Sequence, residues 1–313
     1  MIYKSRINIL ITCFFIAFIE IIPVGKGYAE EWQTMPIADV HLHVFNNPSD
    51  YIDAEFIIEK LKSNNIKWAG GVGDGGNKKI RKFLGERYIS AFGQSDWTEV
   101  FMSGGNSALE DKNNFRNFFD KFNNGDYDGI GEIHINSLGK APRDTPIDGA
   151  MMVEIYQFLQ KRNGWIAIHT SAKRAPVGDL IKTINKYSKV KFILSHCLFD
   201  PATRVMRKIF EETKNSYCDI SGNGPIAGKA DKFRDREIIY GPSHGGLSAS
   251  WKSLIEDFPD RVMIGTDTCC GVHENYDGII LNIRKYVLAS LDEPVRSMVA
   301  YRNALAIFNL PER

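Results

Sequence analysis

Eight short apolar runs recur along this chain, at residues 37–43, 66–72, 88–92, 128–135, 164–169, 190–196, 216–220 and 261–266. Most are separated by segments whose apolar residues fall on one helical face. Phe56, Ile57 and Leu61 form one such set, Val153, Tyr156 and Leu159 another, and Leu180, Ile181 and Ile184 a third. Strand-length runs alternating with amphipathic helices imply parallel strands joined by helical crossovers. Eight repeats predict an α/β fold of the TIM (β/α)8 barrel type. Neither a low-complexity tract nor a long linker interrupts the pattern. Residues 30–313 are therefore expected to form one barrel domain, closed by a helix over 293–308 with Pro294 near its start. A hydrophobic content of 43% and a charged content of 25% suit a globular chain of this length, able to bury a large core.

The first 29 residues read differently. Lys4 and Arg6 precede an apolar stretch over 7–22, Pro23 ends it, and Gly27-Tyr28-Ala29 places small residues where a signal peptidase cuts. The stretch is short for a membrane span and contains Glu20. The expectation is a secretory signal over 1–29, leaving an exported protein, periplasmic or secreted, with no membrane association after cleavage. Past the signal lie Cys197, Cys218, Cys269 and Cys270, an even set in an oxidising compartment. Bridging is feasible, but sequence does not set the pairing. In an unbroken strand, Cys197 would face the helix layer if His196 faces the barrel axis. The net charge of +1 offers no global field for nucleic acid. The basic cluster Lys78, Lys79, Arg81 and Lys82 reads as the solvated face of a helix.

Chemistry collects at the ends of the runs. His41 and His43 close the first, two apart and so on one side of a strand. Glu132 lies in the fourth, His169 ends the fifth, His196 the sixth, and Asp267 follows the eighth. Each alone reads as a hydrogen-bonded polar residue at a strand end. Five such termini in order point elsewhere. A parallel barrel gathers its C-terminal strand ends at one face, so these side chains are expected to converge on a divalent metal, Zn2+ or a similar ion. His134 shares the parity of Glu132 and either joins the site or fills the barrel. Two loops, 94–107 and 222–250, are long enough to shape a pocket there. They nominate Trp97 and His244 as substrate contacts, and Lys173 and Arg174 after His169 are nominated for a substrate anion. Loop packing and solvated charge are the plainer readings of these four.

In that ordered set the chain resembles the amidohydrolase superfamily, and the resemblance runs from Ala38 to Leu310. It is carried by His41 and His43, His169, His196 and Asp267. Phe192-Ile193-Leu194-Ser195-His196, Gly265-Thr266-Asp267 and Tyr301-Arg302-Asn303-Ala304 are similar to the amidohydrolase-related branch. Many two-metal members carry a carboxylated lysine on the fourth strand, where this chain offers Glu132, as TatD-type nucleases do. The resemblance implies one or two divalent ions. A bridging Glu132 would permit two. Otherwise one ion would sit among His41, His43, His169 and Asp267. It further implies hydrolysis by a metal-activated water, with Asp267 as ligand and general base. His196 would hydrogen-bond the substrate oxygen or hold a second ion. The implied substrate is a small molecule with an ester, lactone, amide or related bond. A non-hydrolytic decarboxylase of the same branch is the alternative, and an inactive exported ligand-binding barrel is another. Nuclease activity is disfavoured, since no basic groove with interleaved aromatics is present. A homo-oligomer is left open.

Overall fold

Each of the eight apolar runs contains strand in the computed structural model, which describes residues 30–43, 53–73, 78–93, 112–135, 146–171, 176–198, 202–224, 239–268 and 273–312. The strands are β1 (Ile37–Leu42), β2 (Ile66–Gly71), β3 (Tyr88–Ile89), β4 (Ala91–Phe92), β5 (Gly129–His134), β6 (Trp165–His169), β7 (Lys191–Leu194), β8 (Ser216–Asp219), β9 (Tyr240–Gly241), β10 (Gly246–Leu247) and β11 (Val262–Met263). The third run is split at Ser90: β3 pairs with β2, and β4 pairs with β5. Two parallel ladders result, β1-β2-β3 and β4-β5-β6-β7-β8-β11. The ring is completed where Val40 N–H donates to the Ile264 carbonyl at 3.0 Å and Asp267 N–H to the His41 carbonyl at 2.8 Å. The fold is a TIM barrel. The short antiparallel pair β9–β10 is an excursion between β8 and β11.

Helices return the chain between strands, among them Ala54–Ser63, Ala150–Arg162, Val177–Lys186, Thr203–Glu212 and Ala249–Asp257. Asp53 starts the first by accepting the Glu55 N–H at 3.1 Å, and Lys60 and Lys62 fall in its last turn, where they oppose the helix dipole. The basic cluster lies on the helix Lys78–Leu84, with its four cationic residues exposed around the buried Ile80. The expected closing helix is a series of turns, Val295–Ser297, a wide π turn Met298–Arg302, and Asn303–Phe308.

Strand alternation sorts the core into two compartments. Ile166 and Ile168 of β6 join a large cluster with helical residues such as Ile57, Leu61, Leu159 and Ile184. Trp165 and Ala167 of the same strand join a smaller one inside the barrel, with Ala38, Val40, Trp68, Ile89, Ile193 and Met263. Ala304, Ile307 and Phe308 of the closing helix complete that inner cluster. Phe308 meets the Trp165 indole edge-on, ring centroids 4.9 Å apart. Asn303 ties the same helix to the last strand by donating to the carbonyls of Pro259 and Val262 at 2.8 and 2.9 Å. Glu31–Arg313 form one compact unit. No helix among the described residues is long and apolar enough to cross a membrane.

Candidate metal centre

Plain two-residue alternation would aim His41 outward. Ala38 and Val40 face the barrel interior, so odd-numbered residues should face the helices. The β1–β2 pairing slips between Asp39 and Leu42, and beyond the slip both His41 and His43 turn inward. A similar slip divides Ile130 from Ile133 on β5, around Glu132. Irregular pairing beside a functional group is a common way of re-aiming a side chain. His169 needs no such break, because β6 alternates cleanly up to it.

The six predicted residues converge. The Nε2 atoms of His41 and His43 lie 3.2 Å apart. Glu132 sits between two histidine pairs and turns one oxygen to each. Its Oε2 is 3.7 Å from His41 Nε2 and 4.0 Å from His43 Nε2. Its Oε1 is 2.6 Å from His169 Nδ1 and 3.3 Å from His196 Nε2. Asp267 closes the near side, with Oδ1 at 3.3 Å from His43 Nε2 and 3.6 Å from His41 Nε2. The Asp267 side chain is 26% exposed while the others are almost fully buried. Asp267 is thus the member of the cluster that an arriving molecule can reach.

Three groups in this cluster place their ligand atoms within 4.8 Å of one another: His41, His43 and Glu132; His41, His196 and Asp267; Glu132, His169 and His196. Imidazole nitrogens and carboxylate oxygens at that spacing suit Zn2+ or Mn2+. The residues therefore fit a divalent cation, and the two-sided stance of Glu132 fits a pair. Burial penalises every charge here, but the ions compensate one another. Asp267 is pushed down by His196, His43 and His41, and Glu132 well down by His169 and His41. Burial alone would lower His196, yet Asp267 and Glu132 carry it up to about 9.

Asp219, at the end of β8, is a site residue that pattern reading overlooked. Its Oδ2 lies 3.3 Å from His41 Nδ1, so that nitrogen carries a hydrogen toward Asp219 while Nε2 is the atom turned to the cluster. Its Oδ1 accepts from the Ser221 N–H at 3.1 Å and from the Ser221 hydroxyl. Ser221 Oγ is in turn 2.9 Å from His196 Nδ1. One signal was available: Asp219 ends a strand in a chain where five other apolar runs carry a candidate ligand within them or at their ends. Gly265 makes room for this arrangement, because a Cβ there would lie 2.6 Å from the His41 Cβ. Gly222, at φ 67°, keeps the far side open; its Cβ would stand 3.2 Å from both Asp267 Oδ2 and His196 Nδ1.

The remaining expectations fare unevenly. His134 does not join the three groups; its ring stacks on His169 at 4.3 Å, half-buried beside the cluster. His244 is exposed on the turn Pro242–His244 between β9 and β10. Trp97, Lys173, Arg174, Cys269 and Cys270 lie outside the described residues. Cys197 lies in the outer cluster with the helical residues, on the side that alternation gave it, though on a turn and not on a strand. β7 ends at Leu194, and a tight turn over Ser195–Cys197 swings the cysteine onto β8, where it is joined to Cys218 by a disulfide. A cavity of about 250 Å³ lies at the opposite ends of the strands, lined by Tyr88, Trp165, Lys191 and Phe308 among others, and includes none of the six residues.

A family model described as Amidohydrolase matches residues 132–310, more than half of the chain. No curated protein is close enough in sequence to match. Among solved structures, an amidohydrolase from Burkholderia multivorans with bound zinc superposes with a TM-score of 0.54 at 14% identity, covering 83% of this chain and 89% of its own. A protein described as a probable 2-pyrone-4,6-dicarboxylic acid hydrolase from Acinetobacter baumannii, with citric acid bound, gives 0.59 at 14% identity, covering 88% and 99%. A 2,6-dihydroxybenzoate decarboxylase bound to 2,6-dihydroxybenzoate gives 0.50 at 12% identity, covering 88% and 98%. At these identities the likeness speaks for the fold.

Proposed function

This chain belongs to the amidohydrolase family of enzymes, and from that premise we propose that it is an exported, divalent-metal-dependent hydrolase of small molecules bearing an ester, lactone, amide or related bond. One observation carries the reading: Glu132 presents a different oxygen to each of two histidine pairs, with Asp267 beside one pair and reachable from outside. His41, His43, Glu132 and Asp267 would hold one cation. Glu132, His169 and His196 would hold a second. A cation bound there, Zn2+ or another divalent ion, supplies Lewis acidity, making water more acidic and polarising the oxygen under attack.

The chain's own residues supply the rest. Asp267 stays ionised at neutral pH, because neighbouring imidazoles hold its carboxyl low. It accepts a proton from the attacking water as the new bond to the carbonyl carbon forms, then returns that proton to the leaving group. Asp219 holds the His41 ring in the tautomer that leaves Nε2 free. Ser221 does the same for His196: its carbonyl lies 3.2 Å from Nδ1, which donates to it and leaves Nε2 facing Glu132. The glycine at 222 keeps bulk away from Asp267 and His196, where the scissile group would approach.

The export part of the reading is supported by the disulfide, since such bonds persist in oxidising compartments, and by the signal-like residues 1–29. Purified protein loaded in turn with Zn2+, Mn2+ and Fe2+ should be assayed on a panel of esters, lactones, amides and phosphoesters. The expected result is hydrolysis of at least one class, abolished by a chelator and restored by the cation. Release of CO2 from hydroxybenzoates without hydrolysis would replace this reading by a decarboxylase. Tight cation binding without turnover of any compound would favour a binding barrel.

A further inference from the structure

His196, Cys197 and Leu198 take left-handed backbone φ values of 61°, 48° and 71° in succession. Residues with side chains seldom adopt that region, and a run of three persists only where its surroundings hold it. Ladder pairing does not supply the hold, because the last β7–β8 register pair is Leu194 with Cys218, before the turn begins. Besides the two contacts of the His196 ring with Ser221, three links join the turn to β8 and the residues just beyond it. One is the Cys197–Cys218 disulfide. The second is a long hydrogen bond of 3.4 Å from His196 N–H to Asp219 Oδ1. The third is donated by Asn223 Nδ2 to the His196 carbonyl at 2.7 Å. Both cysteines are fully buried. Each is the chain neighbour of a residue in the cluster: His196 precedes Cys197, and Asp219 follows Cys218. The crosslink therefore clamps together the backbone that presents His196 and the backbone that presents the partner of His41.

We propose that the Cys197–Cys218 disulfide is a positioning element of the cation centre, holding the His196 turn against Asp219 so that the centre assembles fully only in the oxidised chain. The inference rests on reading the cluster as a cation site. In the dithiol chain the turn keeps only hydrogen bonds, two at the His196 backbone and two between its ring and Ser221; these do not enforce three left-handed residues, and His196 loses its fixed place opposite Glu132. Competence is then gained on oxidation. A disulfide exchange partner takes up the two electrons and two protons that the thiols give up as the S–S bond forms. A chain still in a reducing compartment holds cations weakly.

The test compares the purified wild type with the Cys197→Ala/Cys218→Ala double variant. Both are titrated with Co2+, read by its visible absorption, and with Zn2+ in competition with a chromophoric chelator. Far-UV circular dichroism is recorded alongside. The expected outcome is affinity weaker by about tenfold or more, the range typical of lost supporting contacts, with an altered Co2+ spectrum and unchanged dichroism. Equal affinity and an equal spectrum would overturn the proposal. If the double variant does not fold, the folded wild type is reduced with a phosphine under argon. Each sulfur becomes a thiol and the phosphine its oxide, with oxygen from water. Loss of affinity in a chain that keeps its dichroism supports the proposal; unfolding on reduction makes the crosslink a global staple and overturns the local role. Should the oxidised wild type bind neither Co2+ nor Zn2+, the cation reading itself fails and this inference falls with it, an outcome distinct from the others.

Discussion

The two ends of the barrel are built from the same strands and obey opposite rules. At the N-terminal end, Trp165, Ala38, Val40, Ile89 and Met263 alternate regularly inward and are sealed by Ile307 and Phe308. At the C-terminal end, β1 and β5 abandon that regularity within one or two residues, and four imidazoles with three carboxylates crowd the axis, all buried except the partly exposed Asp267. The first end is held by apolar contact, which is favourable wherever area is buried. The second consists of charges that would each be costly to bury alone and are tolerable only together. A side chain lost from the first end should therefore cost stability and leave chemistry intact. A group changed at the second, with a cation in place to balance the charges that remain, should do the reverse.

The sharpest way to break that contrast is Asp267→Asn. A general base of this kind contributes on the order of 10²–10⁴-fold, so turnover should fall by that range while the thermal midpoint of the cation-loaded protein stays near wild type. Near-normal turnover with cation bound would remove Asp267 from its role. At the other end, Phe308→Ala should cost about 3–5 kcal/mol in a denaturant titration with cation affinity unchanged. A matching drop in affinity would show that the two ends are coupled after all. Asp219→Asn is a subtler probe of the polar end. Losing the orienting carboxylate should weaken cation binding roughly 10–100-fold, measured by chelator competition, with secondary structure retained; undiminished affinity would make Asp219 a packing residue.

The smallest effect is in pH. In cation-free protein His196 is raised to about 9 from the ordinary 6.5. A raised imidazole contributes stability that is fully present below 6.5 and lost as pH climbs through the folded value. The thermal midpoint of the chelator-treated protein should thus decline between about pH 6.5 and 9. Glu132, Asp219 and Asp267 act oppositely, being lowered, so their contribution fails only in acid, below the ordinary carboxylate range. A midpoint that rises between pH 7 and 9 without cation would mean that the imidazoles are not charged by their carboxylate neighbours.

Much of this was legible beforehand for a physical reason. Burial on both faces forces parallel-barrel strands to be apolar, so the eight runs stand out, and polar groups ending such runs have only the open face to go to. His169 shows the case at its simplest: β6 alternates without a break, and parity alone aims the ring inward. The exposed basic face of Lys78–Leu84 was readable for a similar local reason.

Asp219 was not legible as a partner of His41, since 178 residues separate them and only barrel closure brings them together. The pairing of Cys197 with Cys218 was equally hidden. Alternation assigned Cys197 to the helix layer, where it does lie, but it could not show that the strand stops at Leu194 and that three left-handed residues carry the chain to Cys218. The amino-acid order by itself determined the architecture and most of the roster of candidate ligands, because both follow from short-range periodicity and residue chemistry. Tertiary structure alone decided which oxygen of Glu132 faces which histidine, which acid orients His41 and which sulfurs join. Those choices depend on ångström-scale slips in strand register, which local residue preferences do not encode.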